Sequence, residues 1–168
     1  ADMYLLAVQD KQLQTTAKNV GAEGRLLVHT SGFTPLESLD GYSAHSGVCW
    51  PLQTLTKGKP VDYSQIPFFI EGNNKTTTAM LEHFARRVSD RVIITDSGSR
   101  QKAHLAAVIA SNLSNRLYAI AADILEKQGI PFNVLAPLIL ETAQKAVEKA
   151  PHLSQTGPAS RKDLHVIE

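Results

Sequence analysis

Short apolar runs separated by polar turns fill the first half of the chain, and this pattern predicts strands alternating with helices. Residues 3–8 are continuously apolar, the form expected of a strand buried on both faces of a parallel sheet. Asp10 follows and could cap a helix over about 11–20, which Gly21 would end. Residues 25–29 make the next strand and stop at Thr30-Ser31-Gly32. Residues 42–50 and 67–70 read as two more strands, the second closing at Glu71-Gly72. A helix over about 75–88 then leads into a strand over 91–95. Strand and helix alternating at this spacing argue for an α/β sheet.

The second half changes character. From residue 99 to about 128 there is neither proline nor glycine, and a wide apolar face runs along the segment. An unbroken helix of that length would extend about 45 Å. Gly129-Ile130-Pro131 interrupts it, and the helical pattern resumes over 132–150 despite Pro137. Residues 151–158 read as a loop, and Ser160 with Asp163 resembles a capping box that opens another helix. The change near Asp96-Ser97-Gly98 divides the chain into 1–97 and 98–168. A chain that opens on an apolar strand and closes within a helical pattern is expected to be the middle and end of a larger protein.

Composition narrows the function classes. A net charge of +1 leaves no basic footprint for nucleic acid. One cysteine, Cys49, excludes an internal disulfide and fits a reducing compartment. No uninterrupted apolar stretch is long enough for a membrane span. The expectation is a soluble, cytoplasmic protein with neither nucleic-acid nor membrane partners.

Several segments could carry chemistry. His29-Thr30-Ser31-Gly32 and Val8-Gln9-Asp10 each sit where a strand ends, and open parallel sheets bind ligands beyond the carboxyl ends of their strands. Gly32 would let a backbone approach closely. Both segments read equally as ordinary strand-to-loop turns. On the long helix, Arg100, His104, Ser111 and Asn115 fall on one narrow stripe, with Asn112 at its edge. Histidine moves protons near neutrality, and asparagine orients a carbonyl or amine. A hydrogen-bonded helix contact or a solvated edge explains the same stripe. Ser97 at the start of this helix could cap it, and free amides there could also receive an anion. Trp50 beside Gln53 is either packing or a ligand contact. No G-x-G-x-x-G, no phosphate-binding P-loop, no zinc spacing and no G-x-S-x-G elbow occurs.

Taken together, His29-Thr30-Ser31-Gly32, Trp50-Pro51-Leu52-Gln53, the helix from Arg100 through His104 to Asn112 and Asn115, and Thr156-Gly157-Pro158 with Arg161 and Asp163 look familiar. The chain resembles bacterial proteins with a Rossmann-like domain and a helical domain of uncharacterised function, labelled as NADP oxidoreductases of the deazaflavin-dependent type. The resemblance runs over nearly the whole chain, and similar architecture occurs in β-hydroxyacid dehydrogenases and pyrroline-carboxylate reductases. It implies α/β followed by all-α: the C-terminal part of a Rossmann-like parallel sheet joined to a helical domain of the 6-phosphogluconate-dehydrogenase-like type. Residues 98–168 would then serve dimerisation and substrate binding, giving a homodimer.

The resemblance also implies NADP as cofactor of the complete protein. Val8, Gln9, Asp10, His29, Thr30, Ser31 and Gly32 would lie on the nicotinamide side. The glycine-rich turn for the pyrophosphate is not found, so tight NADP binding is not expected of this chain alone. The reaction implied is hydride transfer to or from a small carbonyl, imine or hydroxy compound. His104 would be the general acid/base, Asn112 would orient the substrate, and Arg100 would draw an anionic group of it. In β-hydroxyacid dehydrogenases a lysine and an asparagine serve on the corresponding helix, whereas this stripe holds no lysine. The rival expectation is therefore a non-catalytic dinucleotide-sensing or dimeric interaction module.

Overall fold

Two faces of one sheet account for most of the apolar pattern in the first half. The computed structural model describes residues 2–149 and Pro151; the expected loop and capping box beyond Pro151 lie outside them. The chain forms two compact units, Ala1–Leu113 and Ser114–Glu168.

In the first unit, strands β1 (Met3–Leu6), β2 (Leu26–His29), β3 (His45–Pro51), β4 (Phe68–Gly72) and β5 (Val92–Ile94) form one sheet in the order β1-β2-β3-β4-β5. The fold is of the expected Rossmann-like class. Its sheet is nonetheless mixed: β1-β2, β2-β3 and β4-β5 pair in parallel, while β3 and β4 run antiparallel. No α-helix lies between β3 and β4, only a short 3-10 turn at Tyr63–Gln65. A parallel return needs a crossover of a dozen or more residues, usually helical. This segment instead closes like a hairpin, with the Leu52 amide donating to the Pro67 carbonyl at 2.8 Å.

Register places Leu6, His29, Val48 and Glu71 in one row across four strands. Because side chains alternate, Leu27, Trp50 and Phe69 point to the same face. That face carries two apolar clusters, one around Leu6, Leu13, Ala17, Leu27 and Leu39, the other around Leu36, Val48 and Trp50. The opposite face packs Val28, Cys49 and Ile70 against Leu81 and Ala85 of helix α2 (Lys75–Ala85).

Expected and observed elements differ at particular points. β1 is an edge strand rather than one buried on both faces, and Leu5 is 45% exposed. Asp10 does not cap helix α1 (Leu13–Val20); it begins a 3-10 turn, and its carboxylate accepts from the Ser31 hydroxyl at 3.0 Å. Gly21 does end α1, in the left-handed conformation that glycine adopts without penalty. The single helix expected over 99–128 is three segments: α3 (Ser97–Val108), a π turn (Ile109–Leu113) and α4 (Ser114–Glu126).

In the second unit, α4 is followed by a 3-10 turn at Phe132–Leu135 and by α5 (Ala136–Glu148). Pro137 sits in the first turn of α5, where its missing N–H costs nothing. Neither helix has a buried residue among those described, and Leu117, Ile124, Leu138 and Leu140 are all exposed.

Candidate active site

The first turn of α3 is anchored inside the first unit. Asp96 is its N-cap, accepting from the Ser99 amide at 2.8 Å and the Ser99 hydroxyl at 2.9 Å. These bonds hold the Asp96 carboxyl below its usual range. Ser97, the expected cap, has another task. Its amide and hydroxyl both donate to the Glu71 carboxylate, at 2.9 Å and 3.0 Å to Oε1. The carboxylate received at this helix start is the chain's own Glu71, placed by the end of β4.

Arg100 completes this arrangement and is 0% exposed. One terminal nitrogen donates to the carbonyls of Ser31 (2.9 Å) and Gly32 (3.0 Å). The other donates to Glu71 Oε2 and Ser97 Oγ, both at 3.1 Å. The Ser97 hydroxyl also accepts from the Leu36 amide at 3.0 Å. One buried cation therefore ties the loop after β2 to the end of β4 and the start of α3. Its charge is spent inside the fold, so the geometry gives Arg100 a positioning role in place of contact with a substrate anion.

Val8, Gln9, Asp10, Thr30 and Ser31 come together at the carboxyl ends of β1 and β2. Ser31 Oγ donates to Asp10 and accepts from the Phe33 and Thr34 amides at 3.1 and 2.9 Å. Thr30 Oγ1 reaches the Leu6 carbonyl at 3.5 Å. Val8, Gln9 and Asp10 are exposed and Thr30 and Ser31 half-buried, so these five, all but Val8 polar, form a solvent-accessible rim. His29 and Gly32 are buried behind it. His29 Nδ1 accepts from the Ser31 amide at 3.1 Å, which shapes the rim from within. Burial, with the Arg100 charge second, lowers the His29 pKa to about 4.

Gly32 joins this rim to a cleft. A Cβ built on it would lie 2.7 Å from His104 Nδ1 and 2.7 Å from Trp50 Cε2, so only glycine fits between backbone and rings. Trp50 and His104 meet edge to face, with centroids 5.5 Å apart. Both line a cleft of about 380 Å³, together with Gln53, Thr54, Ser111 and Asn112. Leu52, Ala107, Val108 and Ala110 supply apolar wall. His104 Nδ1 is buried with no hydrogen-bond partner among the described residues.

The π turn explains why Asn112 belongs to this cleft. Such a turn closes on residue i+5, one later than an α turn, so later positions fall back around the axis. Asn112 thereby moves from the edge of the expected stripe to the wall that His104 lines. Asn115 lies past the turn, in the second unit. Sequence reasoning missed Glu71, Ser97 as its partner, and Thr54. An acidic residue ending the apolar run Phe68-Phe69-Ile70, in register with Phe69's face, was the available signal for Glu71.

Among the described residues no group of three metal-ligating side chains occurs, and no helix is long and apolar enough to cross a membrane.

Comparison with known proteins gives context to this geometry. The model of a domain of unknown function, DUF2520, matches residues 66–168. The chain is similar to the crystal structure of the "putative NADP oxidoreductase BF3122 from Bacteroides fragilis", with 41% identity and a TM-score of 0.89 over 99% of this chain and 66% of that one. It is also similar to protein TM1727 from Thermotoga maritima, with 26% identity and a TM-score of 0.81 over 98% of this chain and 66% of that one. An imine reductase from Streptomyces aurantiacus shares the fold at 14% identity and a TM-score of 0.64, over 88% of this chain and 55% of that one. The chain thus spans just under two thirds of the first two relatives' length. No curated protein matches it.

Proposed function

The chain belongs to the DUF2520 family, and on that premise we propose that it forms the nicotinamide and substrate side of an NADP-dependent oxidoreductase. The observation that carries this reading is Gly32, which sits between the rim at the strand ends and the cleft that holds His104. The rim of Val8, Gln9, Asp10, Thr30 and Ser31 fits a nicotinamide ring, and the oxidoreductase name of the Bacteroides relative supports NADP. When bound, the cofactor supplies or accepts a hydride.

The chain's own residues do the rest. His104 gives a proton to the oxygen or nitrogen of a carbonyl or imine as it is reduced, and takes one from a hydroxy compound in reverse. Asn112 orients the substrate, Trp50 closes one wall, and Arg100 with Glu71 holds loop and helix in register. Residues 98–168 would serve dimerisation and substrate binding, and the exposed apolar faces of α4 and α5 support pairing of two copies there.

The test uses the protein as its full reading frame encodes it. NADPH oxidation with a carbonyl and imine panel should occur and should fall about 10²- to 10⁴-fold in His104→Ala. Unchanged turnover in that variant defeats the assignment. NADP binding without hydride transfer to any panel member favours the dinucleotide-sensing reading, which the lack of a lysine in the cleft supports. The 168-residue chain alone should show neither tight NADP binding nor turnover by calorimetry and absorbance.

A further inference from the structure

We infer that the compound entering this cleft is uncharged where it is held: a carbonyl or imine on an apolar body, carrying no carboxylate or phosphate. The inference rests on the oxidoreductase reading and narrows its substrate.

Among the described residues no lysine, arginine, aspartate or glutamate lines the cleft. Of the cations nearest His104 in sequence, Lys102 is exposed and does not line the cleft, and Arg100, one helical turn before His104, faces inward with its two terminal nitrogens engaged. Glu71 offsets its charge directly, at 3.1 Å. Apart from His104, the polar groups available to a ligand are neutral: the Gln53 and Asn112 amides and the Thr54 and Ser111 hydroxyls. Gln53 Oε1 already accepts from the Thr54 amide at 2.8 Å, which leaves its NH₂ free to donate. Neutral donors satisfy a ketone oxygen, a hydroxyl or an imine nitrogen. They do not compensate a carboxylate taken out of water, whose desolvation demands a paired cation. Trp50 and the small apolar side chains of Leu52, Ala107 and Val108 supply a wall suited to a compact apolar body, and the volume is that of a small-molecule site.

Trp50 is the only tryptophan, so its emission reports directly on the cleft. The experiment titrates the 168-residue chain with matched pairs that differ by a carboxylate. Suitable pairs are phenylacetone and phenylpyruvate, acetophenone and phenylglyoxylate, pyrroline and pyrroline carboxylate. The neutral member of each pair should perturb Trp50 emission and bind at least about tenfold tighter, ~1.4 kcal/mol. In Ala107→Lys, which adds the missing cation to the wall, the order within each pair should reverse. Equal or tighter binding of the acids by the unaltered chain overturns the inference, as does silence from every compound at millimolar concentration. If the neutral compounds bind but the full-length protein passes no hydride to them, the ligand class stands and the oxidoreductase reading falls.

Discussion

Arg100 and Glu71 form a buried ion pair 3.1 Å long, between the first turn of α3 and the last residues of β4. The arginine has no exposed surface and the glutamate little. Such a pair is weak evidence of net stabilisation, because both charges were taken out of water. Its effect is geometric: the same guanidinium fixes the Ser31 and Gly32 carbonyls, and so the floor on which His104 rests.

Removing one partner strands the other. Arg100→Ala should cost about 3–5 kcal/mol in urea unfolding, because Glu71 is left buried and uncompensated. Cys49 provides a second readout, since burial pushes its thiol up to about 11 and keeps it inert in the folded state. Thiol-reagent labelling should therefore be faster in Arg100→Ala than in the parent. Equal urea midpoints and equal labelling rates would show that the pair holds nothing together.

Gly32→Ala asks for space that His104 and Trp50 already occupy. The glycine's backbone is not left-handed, so the penalty is steric crowding. Overpacking of this kind costs about 1–3 kcal/mol. The Trp50 emission maximum should move and the melting temperature should fall. A variant with the parent's spectrum and melting temperature would mean that the rings sit farther from the backbone than described.

His29 gives stability a pH dependence of known sign. Its pKa is about 4 when folded, against 6.5 for the free side chain. Between these values the unfolded chain binds the proton and the folded chain does not. Stability therefore declines as pH falls from 6.5 toward 4, by about 3 kcal/mol from this residue, and levels off below. Denaturant titrations across that window should show a shallower slope in His29→Asn than in the parent. Identical slopes would place the imidazole in water.

The order of elements was legible because the strands are short apolar runs, several of them closed by glycine, asparagine or aspartate, as at Gly72-Asn73-Asn74 and Asp96. The pairing of β3 with β4 was not, since nothing local distinguishes a hairpin return from a crossover once the intervening helix is missing. The rim at Val8 to Asp10 and Thr30 to Ser31 was legible from the place where strands end. The direction in which Arg100 points was illegible, because its partner Glu71 lies 29 residues away, on a strand. Asp10 misled for the same reason: a cap is a local inference, and Ser31 offered a distant partner. The π turn leaves no mark in composition, so a stripe drawn with regular spacing set Asn112 at its edge.

The segment from Leu52 to Pro67 has its two ends tied by one backbone hydrogen bond. It contributes Leu52, Gln53 and Thr54 to the cleft and nothing to the Arg100 clamp. Doubling the length of such a loop costs only about 0.6 kcal/mol in closure entropy. Insertions there can recontour the mouth of the cleft while strand register and the buried ion pair stay as they are. The architecture thus separates what must be inherited from what is free to diversify, and kin of this chain should vary in length between β3 and β4 before they vary at Gly32.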